Sequence, residues 1–329
     1  MRKMDYLCQH KIIYSYKNPK INPKITTSMK KFFISAVALL AGFVVSAQLV
    51  EVNSVTKVAL PEGMAVNIPT ISPDGSFVVV TDLASDGIMK IDVADGTSTR
   101  LSKANGAFDI RISPDGRNIV YRHSVFKNKL RYTGLRSLDL ATGKTGDIVK
   151  PSRRLNAGAA ISENSTVNAI ENGKMMRRNL AGAKAQGAIV ASINYGHLDI
   201  TTPDGRTKTI DPQGRGSYLW PSVSPDGSKV VYYLAGRGCF VAGIDGSNPV
   251  ALGELRAARW IDNNTIVGMN DRDNGEVVTE SKLVASNLSG IRQVLTESAV
   301  KAMYPSVSAD GRHIAFSTPE GELFILNLK

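Results

Sequence analysis

The stretch Ser72-Pro73-Asp74-Gly75, with the apolar run Phe77-Val78-Val79-Val80 after it, decides the fold because it returns along the chain. The same four residue types start again at Ser113 and Ser224, and a near copy, Ser-Ala-Asp-Gly, starts at Ser308. Each copy precedes another short run of β-branched and aromatic residues. Recurrence of one turn-and-strand unit at this period is typical of repeat architectures such as β-propellers.

Two weaker copies, at residues 161–165 and 260–264, complete a series of six units spaced 38 to 62 residues apart. A second turn with Asp-Gly or a similar pair lies between strand-like runs in the later part of most units, as at residues 94–96. A four-stranded propeller blade takes about 40 to 50 residues. The pattern therefore predicts an all-β fold, a six-bladed β-propeller of four-stranded antiparallel blades, with an insertion in the 62-residue third unit.

The repeated phrase has the chemistry of a tight turn. Pro pre-sets φ, Asp accepts bonds from nearby backbone N–H groups, and Gly adopts the left-handed conformation. We therefore interpret the acids and glycines of the four clear copies as turn-builders: Asp74, Gly75, Asp115, Gly116, Asp226, Gly227, Asp310 and Gly311. They should lie on the face of the disc opposite the loops that link the second strand to the third and one blade to the next.

The ends of the chain predict how the ring closes. The last unit ends after its third strand, at residues 322–328, and a spare strand-like segment lies at residues 49–60, before the first unit. Pairing these two segments would supply the missing fourth strand and protect the strand edges.

The N-terminal sequence predicts export. Residues 29–47 read as a signal peptide, with Lys30 and Lys31, an apolar run at residues 32–45 and a small-residue cleavage site before Gln48. The apolar run is shorter than the roughly 20 residues that span a bilayer, so no membrane span is expected after cleavage. Residues 1–28 are interpreted as a mis-assigned upstream extension, and residues 48–329 as a single propeller domain in the periplasm or at the outer cell surface. Either Met1 or Met29 could be the true start.

Charge and composition exclude several classes of protein. Residues 1–47 hold eight of the 40 basic and one of the 29 acidic residues, so the remaining 282 residues carry only +4 of the total charge of +11. That balance does not indicate nucleic acid binding. Cys239 is the one cysteine after residue 47, and His123, His197 and His313 have no metal-ligand spacing. We expect no disulfide, no metal site and no cofactor.

The phrase Ser-Pro-Asp-Gly followed by Ile/Val-Val-Tyr/Phe resembles the PD40 repeat, the WD40-like repeat of the TolB-like six-bladed β-propeller family. The resemblance extends over residues 48–329, although the two weaker units match it poorly. It implies the propeller fold and, because such scaffolds serve many roles, no particular function. TolB itself has a separate α/β domain before its propeller, and the chain offers only one strand there.

Motifs for chemistry are weak. No Gly-x-Ser-x-Gly elbow is present, residues 143–145 read as a turn rather than the end of a phosphate-binding loop, and residues 271–276 fit a hairpin better than a calcium loop. The sequence favours a protein that is not an enzyme.

The remaining candidates lie at the mouth of the central channel. The position four residues before each repeat phrase is Ile68, Asp109, Gly158, Trp220, Arg256 and Tyr304, and the neighbouring loops are rich in cations. Aromatic residues and Arg are enriched at binding hot spots. The predicted site residues are Asp109, Trp220, Arg256, Tyr304, Arg122, His123, Arg154, Arg215 and Arg237; the alternative is that Trp220 and Tyr304 pack between blades and the cations are solvated.

Two functions remain open on this evidence. The first is a monomeric, exported scaffold that binds a protein or peptide partner of the cell envelope through this loop face. The alternative is a propeller-type lyase or hydrolase that acts on an anionic saccharide, so an anionic glycan stays among the candidate ligands.

Overall fold

Six antiparallel sheets account for the 26 strands of the computed structural model, which describes residues 48–84 and 86–329. The first half of the chain forms β1 (Val52–Lys57), β2 (Val66–Ile71), β3 (Phe77–Asp82), β4 (Asp86–Asp92), β5 (Ser98–Asn105), β6 (Ala107–Ile112), β7 (Asn118–Lys127), β8 (Leu130–Asp139), β9 (Thr145–Ser152), β10 (Leu155–Ile161), β11 (Thr166–Glu171), β12 (Lys174–Asn179) and β13 (Val190–Asn194). The second half forms β14 (His197–Thr201), β15 (Thr207–Thr209), β16 (Tyr218–Val223), β17 (Lys229–Leu234), β18 (Gly238–Gly243), β19 (Val250–Gly253), β20 (Arg256–Trp260), β21 (Thr265–Asp273), β22 (Val278–Asn287), β23 (Arg292–Val294), β24 (Met303–Val307), β25 (His313–Ser317) and β26 (Leu323–Leu328).

These sheets are the blades of a six-bladed β-propeller, which confirms the predicted fold. Blades 1, 2, 4 and 5 are β2–β5, β6–β9, β16–β19 and β20–β23, and each is a four-stranded meander. The part of the chain that the structure describes contains no α-helix. The upstream extension and the signal peptide predicted for residues 1–28 and 29–47 lie outside the described residues.

Blade 3 is a double blade of six strands. Its two meanders, β10–β12 and β13–β15, join through their inner strands, where Ala157 pairs with Ile193. Strand β13 contacts β10 on one side and β16 on the other, so it takes an inner position of its own in the ring. The three added strands explain why the third sequence unit is the longest.

The ring closes as the sequence predicts. Strand β1 pairs antiparallel with β26, from Val52 opposite Leu328 to Lys57 opposite Phe324, and completes blade 6. The side chain of Gln293 in blade 5 also holds the segment before β1: its Oε1 accepts the Leu49 and Val50 backbone N–H groups at 2.7 and 3.0 Å. Strand β26 is therefore paired on both sides, and β1 forms the outer edge of blade 6.

The core lies between adjacent blades, and it explains the continuous apolar runs. In β3, Val78 and Val80 pack into a cluster with blade 6, whereas Val79 packs into a cluster with blade 2. All three side chains are fully buried. Because both faces of the sheet are covered, apolar residues do not alternate with polar ones as they would in a sheet with one wet face.

The Ser-Pro-Asp-Gly turns have one internal hydrogen-bond pattern. In the first, Ser72 Oγ donates to Asp74 Oδ1 at 2.7 Å and accepts from the Phe77 backbone N–H at 3.0 Å, while Gly75 has φ of 75°. Ser113, Ser224 and Ser308 make the matching bonds to Asp115, Asp226 and Asp310. These turns join the first strand of each blade to the second, on the face opposite the loops between the second and third strands. We call that opposite side the loop face; residues 128–129 and 153–154 lie on it.

Candidate functional site

Every first strand of the six repeat units has a β-bulge at the same place. The pairing register shifts there, and one residue has positive φ: Ile68 (44°), Asp109 (49°), Gly158 (111°), Trp220 (49°), Ala257 (50°) and Tyr304 (53°). Positive φ is uncommon outside Gly. Its recurrence makes the bulge a designed feature of the ring that re-aims the side chains beside the channel.

Five of the six bulge residues are the positions that the sequence analysis placed at the channel mouth. In the fifth unit, the structure moves this position by one residue, from Arg256 to Ala257. Arg256 pairs with Met269 before the bulge, and Arg259 pairs with Val267 after it, so Ala257 is the bulge residue. The fifth turn lacks the Ser-Pro-Asp-Gly phrase, and counting from Trp260 placed the unit one residue too early. Arg256 lies one step before the bulge, where blade 2 has Phe108.

The corrected register brings out two residues that sequence reasoning missed. The position two residues after each bulge is Thr70, Arg111, Ala160, Ser222, Arg259 and Ser306. Arg111 in β6 and Arg259 in β20 therefore occupy equivalent places in blades that are not neighbours. A correct alignment of the fifth unit would have shown this pair in the sequence.

Arg111 and Arg259 repel each other electrostatically across the channel. Burial lowers the pKa of Arg259 to about 10; the charge of Arg111 lowers it further and that of Asp109 opposes the shift. Asp109 accepts an ion-pair hydrogen bond from Arg111 Nη2 at 3.3 Å, and Arg111 Nε is buried without a partner. One carboxylate thus faces two guanidiniums.

A third guanidinium adjoins this pair. Arg122 is buried, and its Cζ lies 5.4 Å from the centre of the Phe108 ring, on which Arg131 also packs at 5.0 Å. Burial lowers the pKa of Arg122, the nearby Asp109 raises it, and the charges of Arg131 and Arg111 lower it. We call Asp109, Arg111, Arg122, Arg131 and Arg259 the arginine cluster.

In blades 4, 5 and 6, three predicted residues join one chain of contacts. The Trp220 ring packs on Tyr233 with centroids 5.6 Å apart, and Arg256 lies over the same Tyr233 ring at 6.0 Å. Arg256 Nη1 donates to Asp271 Oδ2 at 2.7 Å. Tyr304 is within electrostatic range of both Arg256 and Asp271.

This second cluster contains buried polar groups with altered pKa values. Burial raises the pKa of Asp271 despite Arg256, and burial also raises the pKa values of Tyr233 and Tyr304. Tyr233 OH donates to Glu254 Oε2 at 2.9 Å. Trp220 and Tyr304 also pack against the apolar clusters of their blades, as in the alternative drawn from the sequence.

The other predicted residues belong to neither cluster. His123 is buried in blade 2, where burial lowers its pKa, so its ring does not form part of the exposed rim. Arg154, Arg215 and Arg237 are exposed on the loop face. Arg237 Nη1 donates to the Gln213 carbonyl at 2.9 Å, and Arg154 Nη1 lies 3.4 Å from Asn172 Oδ1.

Among residues 48–84 and 86–329, no group of three or more His, Cys, Asp or Glu side chains could hold a metal ion. No helix in this part of the chain has the length and apolarity needed to cross a membrane. Cys239 is buried, and burial raises the pKa of its thiol to about 12.

Comparison with known proteins shows the fold and no family. No protein-family model matches the chain, and no curated protein matches it. A chain of a mitotic checkpoint complex is similar with a TM-score of 0.59 and 11% identity, over 92% of this chain and 99% of that one. The U3-55K protein is similar with a TM-score of 0.60 and 11% identity, over 85% and 100%. An oligogalacturonate lyase in complex with manganese is similar with a TM-score of 0.49 and 17% identity, over 82% and 78%.

Proposed function

We propose that this protein is an exported, non-enzymatic binding propeller that holds an acidic segment of an envelope protein or peptide in its central channel, which the segment enters from the loop face. The observation that supports the proposal is the arginine cluster, in which Arg111 and Arg259 from opposite blades and the buried Arg122 share one carboxylate. The fold thus preorganises an excess of positive charge for a ligand.

The arginine cluster holds four guanidiniums and only one carboxylate. A guanidinium that is partly removed from water and close to another guanidinium is less stable than one in water, as the lowered pKa values of Arg122 and Arg259 express. A ligand carboxylate entering the channel would receive charge-assisted hydrogen bonds from preorganised Arg side chains, which form bidentate pairs with carboxylates. Part of the Arg111 side chain remains accessible for such a contact.

The aromatic side of the mouth supports a peptide ligand. Trp220 and Tyr304 are only partly buried, and Ile68 in the equivalent bulge of blade 1 is exposed. Trp and Tyr, like Arg, are enriched in protein-binding hot spots. A peptide that carries acidic and apolar residues fits this combination of surfaces.

The direct test uses two defined peptides, decaglutamate and decaglutamine, each with a fluorophore, and measures anisotropy against protein concentration. Wild-type protein should bind decaglutamate more tightly than decaglutamine, and the affinity should fall as salt rises. Arg111→Met or Arg259→Met should weaken binding of decaglutamate by about tenfold, the loss expected for one charge-assisted contact.

The matched control is Arg117→Met. Arg117 is an exposed arginine that follows the second repeat turn, on the side of the disc away from the loop face. It should leave binding unchanged. Equal affinity for the two peptides, or wild-type affinity in both channel variants, would refute the proposal.

A second candidate function, an enzyme acting on an anionic saccharide, has one observation in its favour. Asp271 Oδ1 is buried without a partner, and the Asp271 carboxyl and Tyr304 phenol, both with raised pKa values, could exchange protons with a ligand. Incubation with polyuronates and measurement of the ultraviolet absorbance of unsaturated products, or of new reducing ends, tests it. No product with wild-type protein would exclude it for those substrates.

We also propose that the protein is exported. A further part of the proposal is that the protein is a distant member of the PD40 repeat family, which the repeated Ser-Pro-Asp-Gly turn supports. The mature protein recovered from the native cell should begin at Gln48 and migrate as a monomer in size-exclusion chromatography. A mature chain that retains residues 29–47 would contradict export through a cleaved signal peptide.

A further inference from the structure

A pocket with different chemistry opens on the loop face where the two halves of blade 3 meet. Its volume is about 450 Å³, within the range of roughly 300–1,000 Å³ typical of small-molecule sites. The side chains that give it its character are Arg153, Arg154, Asn156, Asn172, Asn194 and Tyr195. No acidic residue lines it. Strands β10 and β13 pair at Ala157 and Ile193, and the pocket lies beside the loop-face ends of these two strands.

Tyr195 is the most unusual residue of this pocket. Tyr195 and Gly196 form the two-residue turn between β13 and β14, with φ of 49° and 88°. Turns with positive φ at both positions favour Asn, Asp or Gly at the first position, and Asn172 fills that place in the neighbouring turn between β11 and β12. Tyr195 is 92% exposed. Packing within the fold therefore does not explain a large aromatic residue there.

Hydrogen bonds within the protein hold Arg154, Asn156 and Asn172 in position. Arg154 Nη1 lies 3.4 Å from Asn172 Oδ1, and the Asn172 backbone N–H donates to the Arg154 carbonyl at 2.9 Å. Asn156 is buried, and its Nδ2 donates to Ser192 Oγ at 3.3 Å. Arg153 is exposed and has no hydrogen bond or ion pair to another described side chain.

We propose that this pocket binds a carboxylate-bearing saccharide of the uronic acid type. The guanidiniums of Arg153 and Arg154 would take the carboxylate, the asparagine amides would exchange hydrogen bonds with ring hydroxyl groups, and Tyr195 would provide a flat apolar surface for a sugar ring. The polar lining favours a sugar over an apolar peptide side chain. This site uses other side chains than the arginine cluster, which adjoins it where Arg122 Nη1 donates to the Asn156 carbonyl at 3.1 Å. It does not rest on the proposed function.

The test measures binding by ligand-observed NMR and calorimetry with two probes, a β-1,4-linked glucuronate trisaccharide and its methyl ester, which lacks only the negative charges. Wild-type protein should bind the acid at least about tenfold more tightly than the ester. Arg154→Ala and Tyr195→Asn should each weaken binding of the acid by about tenfold. Asn is chosen because it tolerates the left-handed backbone of position 195.

Two controls separate this site from the channel. Arg259→Met should leave binding of the trisaccharide unchanged, and Tyr195→Asn should leave binding of decaglutamate unchanged. The inference is overturned if wild-type protein does not bind the trisaccharide, if acid and ester bind equally, or if both pocket variants bind it like wild type. It is also overturned if the pocket variants lose binding of decaglutamate and keep binding of the trisaccharide, because the pocket would then belong to the peptide site.

Discussion

Arg256 donates from Nη1 to Asp271 Oδ2 at 2.7 Å, and this ion pair lies between two neighbouring strands of blade 5 beside the channel mouth. The Asp271 side chain is only 5% exposed, and its other oxygen, Oδ1, is buried without a partner. Arg256 thus has a structural task in addition to its place at the rim, and a variant that removes it alters the fold as well as the surface.

Arg256→Met should destabilise the protein by about 3–5 kcal/mol, because it leaves the Asp271 carboxylate buried and unpaired. The double variant Arg256→Met with Asp271→Asn should recover much of that loss, since no buried charge remains. Urea unfolding of the two single variants and the double variant measures the coupling. Strict additivity of the three free energies of unfolding would show that the pair contributes nothing.

Arg259→Met should keep or raise the stability of the protein, by up to about 1 kcal/mol, while it weakens binding of decaglutamate. The reason is that Arg259 is a partly buried cation that is repelled by Arg111, a like charge. Thermal melts of wild type and variant at the same ionic strength test it. A fall in melting temperature like that of Arg256→Met would mean that Arg259 is a structural residue.

Gly75→Ala should cost more than Gly116→Ala, although the two glycines hold the same place in their turns. Both have positive φ, 75° and 69°, so both substitutions carry a backbone penalty of about 1 kcal/mol. A Cβ at Gly75 would come within 2.4 Å of the His313 ring, whereas a Cβ at Gly116 meets nothing within 4 Å. His313 is tied by Nδ1 to Asn327 at 2.8 Å and cannot move freely. Chemical unfolding should show the difference in the free energy of unfolding between the two variants. Equal losses of stability would mean that the backbone conformation of the turn alone determines the cost.

The turn acids should make the propeller sensitive to acid. Hydrogen bonds from Ser72 and Ser76 lower the pKa of Asp74 to about 2, and Thr202 and the Arg206 backbone do the same for Asp204. Since these folded-state pKa values lie below the ordinary value of 3.8, the stabilisation is complete above about pH 4 and is lost as the pH falls towards 2.

Melting temperatures at several pH values between 5 and 2 measure this loss. Asp74→Asn should be less stable than wild type at pH 5, and the difference should shrink as the pH falls, because protonation of Asp74 removes the same advantage from wild type. A difference that stays constant over this range would contradict the assignment.

Removal of the closing strand should cause aggregation. A chain that starts at residue 61 lacks β1 and leaves β26 as an unpaired edge, whereas a chain that starts at residue 48 keeps it. We expect the shorter chain to lose solubility and to melt at a lower temperature. Gln293→Ala, which removes only the bonds to Leu49 and Val50, should lower the melting temperature without aggregation. Identical melting of the two truncated chains would disprove closure by β1.

The local sequence of each blade was sufficient to predict its turns. Ser72, Asp74 and Gly75 make their hydrogen bonds and their positive φ within five residues, so a phrase read alone identifies the turn, and its recurrence identifies the repeat. The closure by β1 was also predictable, because the last unit lacks a fourth strand and a spare one precedes the first unit.

Long-range geometry decided the rest. The doubling of blade 3 depends on the pairing of Ala157 with Ile193, which no local pattern specifies. The meeting of Arg111 and Arg259 depends on two β-bulges and on closure of the whole ring, and one residue of error in the fifth unit was enough to hide it. The sequence by itself determined the turns, the strands and their repetition, since those interactions span a few residues. Only the tertiary structure decided which side chains share the channel, because that depends on strands distant in sequence being brought around one axis.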